Sequence, residues 1–293
     1  MPPVVEPPLT SPRTLAEAYA LLAENSTADD GAWRPLAGGT DLYVQMTGEL
    51  GPPPTRLLDL WRLHELRGIT AEAGALVLGA LTTYTEIRRS AICREHVPAL
   101  VAAAATIGAA QIQNRGTLGG NVANASPAGD TLPVLLAMDA ELIAGSARGQ
   151  RSIPAASFWP AYRQTALAPD ELVLRIRVPL PARREVRFRK VGTRRAQAIS
   201  KVVLALAWRE DATGGPWRDV RVALGSVAAT PMRAAATEAV LDGRNPTPET
   251  ADLAAETLAG ELQPIDDVRS TAEYRRTVAA RVLHRLIRDA GGW

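Results

Sequence analysis

The stretch at 108–130, GAAQIQNRGTLGGNVANASPAGD, constrains this chain more than any other part of the sequence. It is poor in bulky side chains and rich in glycine, asparagine, serine and threonine, so it cannot supply a hydrophobic core. We predict a long ordered loop that brings the backbone close to something other than protein.

A pair of glycines lies at the centre of this stretch. The central glycine segment, as we name it, consists of Thr117, Leu118, Gly119, Gly120 and Asn121. Because paired glycines carry no Cβ atoms, their backbone N–H groups can point into one concavity, and such a concavity binds anions such as phosphate. Ordinary turns also contain Gly-Gly pairs, so this segment alone is consistent with either role.

A second segment with the same chemistry lies upstream. The upstream glycine segment consists of Leu36, Ala37, Gly38, Gly39, Thr40, Asp41 and Leu42. It follows a predicted strand at 33–36 and precedes a predicted short helix, and this order aims N–H groups at phosphate. We predict that the two segments form two walls of one diphosphate site. Few basic side chains lie in either segment, so backbone N–H groups would neutralise most of the charge.

Composition excludes several classes of function. The net charge of +2 over 293 residues is too small to indicate a nucleic-acid binder. Cys93 is the only cysteine, so the chain alone cannot form an intrachain disulfide or ligate an iron–sulfur cluster, and its three histidines share no metal-ligand spacing. We find neither a signal-peptide pattern nor a run of about 20 apolar residues, and we therefore expect a cytoplasmic protein with no membrane span.

The order of the predicted elements indicates an α+β fold. In the first part of the chain, a capping box formed by Thr83 and Glu86 marks one helix start, and a hairpin is predicted at 141–153. The alternation of apolar residues at 172–178 predicts a half-buried strand. The Pro- and Arg-rich stretch at 179–184 is the best candidate for a domain boundary.

After this boundary, three β-rich stretches precede three helical ones. The β-rich stretches predict an antiparallel sheet and lie at 185–191, 198–209 and 217–226. The helical stretches are predicted at 231–241, 248–260 and 268–289.

Three motifs together resemble one family of proteins. They are AGGTDL at 37–42, NRGTLGGNVANASPAGD at 114–130 and RKVGTRRAQAISKV at 189–202. They are similar to motifs of the FAD-binding subunit of the molybdenum hydroxylases, a family that includes xanthine dehydrogenase and carbon monoxide dehydrogenase. The resemblance covers nearly the whole chain, with the motifs in the family's order and spacing.

The resemblance implies a fold with two domains. An FAD-binding domain of the p-cresol methylhydroxylase type, with two α+β subdomains, would occupy residues 1–180. A small C-terminal domain, with a three-stranded antiparallel sheet and three helices, would occupy residues 181–293. FAD would lie extended between the two domains.

The resemblance also implies an electron-transfer function. The chain would accept electrons from [2Fe–2S] clusters on a small partner subunit, and those electrons would originate at the molybdenum cofactor of a large molybdopterin subunit. FAD would pass them to NAD+, O2 or another acceptor. We expect the assembly to be a dimer of heterotrimers. The single cysteine agrees with this division of labour, because the chain itself lacks ligands for a cluster.

Site residues follow from the resemblance position by position. Both glycine segments would wrap the FAD diphosphate. Asp130 matches an acidic FAD contact, and Lys190 matches a basic contact near the isoalloxazine. Ile107 and Val173 match apolar positions that flank the ring or the adenine. We assign no catalytic residue and no metal ligand.

Lys190 and Asp130 each have a second possible role. Lys190 continues the face of Val186 and Phe188, so its stem should be partly buried, and its ammonium group then needs a partner. That partner is either the flavin edge or a carboxylate on a neighbouring strand. Asp130 lies in good turn sequence and can also cap the helix that is predicted from Thr131.

Two finer interpretations concern the reaction. AGGTDL and NASPAGD are nearer to the xanthine and N-heterocycle branch than to carbon monoxide dehydrogenase, whose subunits tend to carry AGGHSL and a more acidic second motif. The alternative function is a stand-alone FAD-dependent oxidase or dehydrogenase. It would need a catalytic base above the flavin ring, and we find no His/Asp or Tyr/Arg pair in the sequence that fits that role.

Overall fold

The fold was obtained as a computed structural model, which describes residues 6–26, 31–47, 53–194, 197–210, 212 and 214–293. Within these ranges the strands form a three-stranded, a five-stranded and a four-stranded sheet. No helix in the same ranges is both long enough and apolar enough to cross a bilayer.

The first part of the chain builds a small parallel sheet. Its elements are β1 (Leu9–Thr10), α1 (Leu15–Ala23), β2 (Trp33–Leu36), α2 (Leu42–Thr47) and β3 (Arg56–Asp59). β3 is the central strand and pairs in parallel with both β1 and β2. The upstream glycine segment therefore begins at the last residue of a strand and ends in the first turn of a helix, as the sequence predicts.

A five-stranded antiparallel sheet and seven helices of the described chain follow. The strands are β4 (Ile69–Glu72), β5 (Ala75–Gly79), β6 (Glu141–Ser146), β7 (Gly149–Pro154) and β8 (Leu172–Pro179), in the order β4-β5-β8-β6-β7. The helices are α3 (Tyr84–Arg89), α4 (Ala91–His96), α5 (Pro98–Thr106), α6 (Ala110–Gln113), α7 (Leu118–Asn124), α8 (Leu132–Ala137) and α9 (Ala155–Phe158). The predicted hairpin is confirmed as β6 and β7, and the predicted capping box is confirmed at the start of α3.

The half-buried strand that the alternation predicts is confirmed as β8, in which Arg175 is exposed, Arg177 is partly exposed and only Val173 departs from the pattern by being buried. β8 is the central strand of its sheet, and its residues contribute to two hydrophobic clusters. Leu172 and Leu174 pack into the cluster that covers α1 and β3, whereas Ile176 and Val178 pack into the larger cluster beneath α5 and α8. The strand therefore joins the small parallel sheet to the rest of the molecule.

The stretch at 108–130 is not one long loop, because it contains α6 and α7. The Thr117 side chain caps α7 by accepting a hydrogen bond from the Gly120 N–H at 3.1 Å. Leu118 and Val122, one helical turn apart, are both fully buried. These two apolar residues and the threonine cap are enough to form a helix despite the paired glycines.

The last part of the chain forms an antiparallel sheet covered by three helices. The strands are β9 (Arg184–Val191), β10 (Val202–Glu210), β11 (Trp217–Gly225) and β12 (Met232–Arg233). The helices are α10 (Ala235–Leu241), α11 (Pro248–Glu261) and α12 (Ala272–Gly291). The predicted three-stranded sheet thus has a fourth strand, because residues 232–233 pair with β11 instead of beginning the first helix.

β10 is buried on both of its faces. Leu204 and Leu206 pack into the core that the sheet shares with α11 and α12. Ala205 and Ala207 point to the opposite face and belong to the core of the preceding part of the chain, where α8 packs against β10 and β11. The small alanine side chains allow this close approach of helix and sheet.

Charged residues reinforce the same contact. Asp139, just after α8, accepts hydrogen bonds from Arg184 at 3.1 Å, Arg221 at 3.2 Å and Arg233 at 3.4 Å, all of them on the C-terminal sheet. Asp139 adopts φ +51°, a left-handed conformation that aspartate tolerates better than most residues. The network fixes the C-terminal sheet against the helices of the preceding part.

Candidate cofactor site

A cavity of about 860 Å³ lies between the small parallel sheet and the five-stranded sheet. Its walls include the whole upstream glycine segment and four residues of the central one, namely Thr117, Gly119, Gly120 and Asn121. Leu118, the fifth, is fully buried beneath the wall. The volume is within the range of pockets that hold a nucleotide-sized ligand.

One side of the cavity is apolar. Val173, which the sequence assigns to the site, lines it together with leucines that the sequence did not single out, Leu60, Leu66, Leu81, Leu167 and Leu172. These leucines come from separate elements, so no local motif identifies them. A flat aromatic ring would fit such a wall.

The upstream segment packs against the chain just before the central segment, and both segments line one cavity, while their role as two walls of a diphosphate site stays a prediction. A Cβ atom on Gly38 would lie 1.8 Å from the carbonyl oxygen of Arg115, two residues before the central segment. Gly39 has φ +78°, a conformation that other residues rarely adopt. Glycine at these two positions allows the upstream segment to turn tightly against the chain that leads into α7.

The upstream segment has unpaired N–H groups. Nowhere in the described parts of the chain is there an acceptor for the backbone N–H groups of residues 38–42. Backbone donors away from bulk water are nearly always paired in folded proteins. A run of unpaired donors along the wall of a cavity therefore indicates a ligand that is rich in acceptor atoms.

The N–H groups of the central segment, by contrast, are used inside the protein. Those of residues 118–121 donate, in order, to Thr82 O, Ala80 O, Thr117 Oγ1 and Thr117 O, at 2.9, 2.9, 3.1 and 3.0 Å. Gly119 is required for packing, because a Cβ atom there would lie 2.6 Å from the Ala80 Cβ. The structure thus differs from the expected cradle of free amides at this segment, and the upstream segment carries the unpaired donors.

A polar cluster lies beside the upstream segment. The Asn124 side-chain oxygen accepts hydrogen bonds from Gln45 at 3.3 Å and from Arg163 at 3.4 Å, and Asn124 lies beside the Asp41 carboxyl. Burial of this carboxyl in the cleft raises the pKa of Asp41 even though the residue as a whole is exposed, and Arg163 opposes the rise. Sequence reasoning missed Gln45, Asn124 and Arg163, which come together only through the fold.

The raised pKa of Asp41 predicts a pH-dependent effect of Asp41→Asn. A carboxyl with a raised pKa in the folded state favours folding at low pH, and that contribution is lost as the pH rises through the folded pKa. We therefore expect the FAD-free variant to be more stable than the wild type at neutral pH and to lose this advantage as the pH falls toward the ordinary aspartate pKa of about 3.9. Urea unfolding of both chains across this interval measures the difference, and a difference independent of pH would contradict the prediction.

Asp130, Lys190 and Ile107 lie together, outside the cavity walls. The Lys190 ammonium donates to the Asp130 carboxylate at 2.5 Å and to the Thr106 carbonyl, adjacent to Ile107, at 3.2 Å. Burial raises the pKa of Asp130, and the ammonium group of Lys190 opposes that rise. The second carboxylate oxygen, Oδ1, is buried with no partner at hydrogen-bond distance in the described chain, although the nearby Ser200 and Thr106 side chains also oppose the rise in the pKa of Asp130.

This pairing is neither of the protein-internal roles that the sequence suggested for the two residues, and their contacts with FAD stay predictions. Lys190 pairs with a residue 60 positions away, not with a carboxylate on a neighbouring strand. Asp130 does not cap α8, because Thr131 occupies the N-cap position and makes no side-chain cap there. The pair instead connects β9 to the turn between α7 and α8.

Tyr84 is affected electrostatically by one carboxylate beside the cavity and by the carboxylate of this ion pair. It lines the cavity, and the carboxylates of Asp41 and Asp130 both add to the rise in its pKa that burial causes. The sequence marks Tyr84 only as the first residue after a helix cap. No local signal distinguishes it from a core aromatic.

Two family models match consecutive parts of the chain. Residues 5–181 match the FAD-binding domain in molybdopterin dehydrogenase, and residues 187–290 match the C-terminal domain of the carbon monoxide dehydrogenase flavoprotein. The chain belongs to the family of FAD-binding subunits of the molybdenum hydroxylases. Its cofactor is therefore FAD, and it is the flavin subunit of an oxidoreductase.

Relatives of this FAD-binding subunit match over nearly their full length. The xanthine dehydrogenase FAD-binding subunit of Escherichia coli O157:H7 is 32% identical over 286 residues, which cover 95% of both chains. The carbon monoxide dehydrogenase medium chain of Hydrogenophaga pseudoflava is 30% identical over 280 residues, which cover 96% of this chain and 95% of that one.

Solved structures confirm the fold of the FAD-binding subunit. A chain of carbon monoxide dehydrogenase from Hydrogenophaga pseudoflava, in a form lacking the Mo-pyranopterin moiety, superposes with a TM-score of 0.89 at 31% identity, covering 97% of this chain and 96% of that chain. Quinoline 2-oxidoreductase from Pseudomonas putida 86 gives a TM-score of 0.89 at 27% identity, covering 98% of each chain. The predicted fold class is confirmed, with the fourth C-terminal strand as the one difference.

Proposed function

We propose that this chain carries FAD as an electron relay within a multi-subunit molybdenum hydroxylase. The bound FAD would accept electrons from [2Fe–2S] clusters of a small partner subunit, which receive them from a large molybdopterin subunit, and would deliver them to NAD+, O2 or another acceptor. The observation that carries the proposal is the run of unpaired N–H groups at residues 38–42 along a cavity of about 860 Å³. The chain's own residues bind, orient and electrically tune the cofactor.

The upstream glycine segment would hold the diphosphate. Its unpaired N–H groups can each donate to an anionic oxygen, and each such bond contributes about 1.5–3 kcal/mol. The central segment would close the other side without donating, because its amides are already paired. At Gly120, little besides the Thr117 hydroxyl lies near the space that a Cβ atom would occupy. The absence of a side chain there leaves room for the cofactor beside the central segment.

The remaining assigned residues would hold the two ring systems. Val173 lies on the apolar wall of the cavity, which suits one ring. Ile107, Asp130 and Lys190 lie where the C-terminal sheet meets α5 and the turn before α8, which suits the other ring. The buried and unpaired Oδ1 of Asp130 supports a ligand contact there.

We extend the proposal to the domain bounds, the subunit assembly and the branch of the molybdenum hydroxylase family. The FAD-binding domain would end near residue 180 and the C-terminal domain would occupy 181–293, in a dimer of heterotrimers with the small and large partner subunits. The words "subunit" and "medium chain" in the names of the relatives support a multi-subunit assembly. The AGGTDL and NASPAGD motifs support the xanthine and N-heterocycle branch over carbon monoxide oxidation.

Purification of the chain alone and together with its partner subunits tests this function. We expect the chain to bind FAD and show a flavin spectrum, and we expect substrate to bleach that spectrum only when both partners are present. A chain that stays colourless after incubation with FAD would contradict the proposal. Bleaching of the isolated chain by an organic substrate would favour the stand-alone oxidase or dehydrogenase instead.

A further inference from the structure

Tyr84 presents an unpaired hydroxyl group to the cavity. The residue is only 4% exposed and lines the cavity wall. Within the described chain its hydroxyl has no hydrogen-bond partner. This oxygen is also not completely buried, so a ligand can reach it. The small accessible part of this side chain therefore includes the hydroxyl, and it faces the cavity.

The position of this hydroxyl is fixed by its surroundings. The Tyr84 ring lies against Gly116, where a Cβ atom would be 2.6 Å from the ring carbon Cε2. The Tyr84 N–H donates to the Gly116 carbonyl at 3.2 Å, and the Thr83–Glu86 capping box holds the start of α3. A group held in one place before its ligand arrives loses little freedom on binding.

The electrostatic surroundings select the kind of ligand atom. Asp41 and Asp130 both act on Tyr84, and together with burial they raise the pKa of the phenol, so it stays protonated and is able to donate. The backbone N–H groups of the upstream segment, and not the Tyr84 hydroxyl, would hold the diphosphate, because Asp41 and Asp130 both add negative charge around this hydroxyl. A carbonyl or hydroxyl oxygen accepts a hydrogen bond without adding a third negative charge.

We propose that Tyr84 donates a hydrogen bond to a neutral acceptor oxygen of FAD, on the part of the cofactor between the upstream glycine segment and Asp130. This inference rests on the proposed function and names a binding residue that neither glycine motif contains. The hydroxyl leaves water when the cofactor covers it, so it needs an acceptor there. A ligand that placed only carbon atoms at this point would leave the Tyr84 hydroxyl without an acceptor. Tyr84 therefore favours FAD over such a ligand.

The test compares Tyr84→Phe with Tyr19→Phe in the full chain. Both substitutions remove one hydroxyl that has no protein partner, but the Tyr19 hydroxyl is buried near Gly145 and does not line the cavity. Flavin fluorescence titration should give an FAD Kd about 5-fold higher for Tyr84→Phe, the effect of one neutral hydrogen bond. Tyr19→Phe should leave the Kd unchanged.

A second measurement separates binding from folding. The rise in Tm on adding FAD, taken relative to the FAD-free form of the same variant, should be smaller for Tyr84→Phe than for the wild type and Tyr19→Phe. Equal Kd values for Tyr84→Phe and the wild type would overturn the role of Tyr84 while leaving the FAD site intact. A wild-type chain that binds no FAD would overturn the proposed function and this inference with it.

Discussion

Replacing Gly38 with alanine should weaken FAD binding by about 100-fold or more. The new Cβ atom would lie 1.8 Å from the Arg115 carbonyl oxygen and 2.5 Å from its carbon, and both are backbone atoms that cannot rotate away. Overpacking typically costs about 1–3 kcal/mol, and a backbone collision of this kind belongs at the upper end, which corresponds to about 100-fold in Kd. The two glycine segments would separate in the FAD-free chain, and closing them around the cofactor would restore the collision.

Gly260→Ala provides the matched control for this substitution. Gly260 lies on an exposed part of α11, and no atom lies within 4 Å of the Cβ position. Alanine there should leave FAD binding unchanged and stabilise the helix by about 0.5–1 kcal/mol. Equilibrium titration with FAD and urea unfolding distinguish the two variants. Wild-type affinity in Gly38→Ala would mean that the cofactor does not need the two segments in contact.

The second large effect is expected from Lys190→Met. The side chains of Lys190 and Asp130 are 8% and 7% exposed, so this change leaves a buried carboxylate without the cation that pairs with it. Breaking such a pair from one side costs about 3–5 kcal/mol of unfolding free energy at neutral pH. Burial already raises the pKa of Asp130, and removal of the ammonium raises it further, so the loss should shrink as the pH falls and Asp130 becomes protonated.

A double variant separates the structural role of this pair from cofactor binding. Lys190→Met combined with Asp130→Asn removes both charges and should recover most of the lost stability, because no unpaired carboxylate remains. If both side chains also contact FAD, the affinity of the double variant for FAD should stay below that of the wild type even though its stability recovers. Recovery of stability and FAD affinity together would restrict the pair to a structural role. A single variant as stable as the wild type would contradict the stability prediction.

Local signals predicted much of the fold. The strand before the upstream segment, the capped start of α3 and the hairpin of β6 and β7 each depend on residues close in sequence, and the structure contains all three. The elements that sequence reasoning missed depend on distant partners. β12 exists because it pairs with β11, and Val173 alone departs from the predicted alternation, because β8 is the central strand of its sheet.

The same distinction applies to the site. The glycine segments are recognisable because their composition is unusual, and the fold places both on the walls of one cavity. Which of their N–H groups stay unpaired depends on Ala80 and Thr82, at the end of another strand, and no sequence pattern contains that information. Tyr84 on α3, Asn124 on α7 and Arg163 in the turn before β8 reach the site from separate parts of the chain, so only the tertiary structure associates them with it.

The two faces of β10 have a consequence for how this chain can be divided or recombined. One face belongs to the C-terminal helices, whereas Ala205 and Ala207 on the other complete a core built by the first two-thirds of the polypeptide. A fragment cut near residue 181 would leave that alanine surface bare on one piece and α8 uncovered on the other. Chimaeras that exchange C-terminal parts between relatives will therefore fold only when the incoming strand carries side chains as small as the ones it replaces.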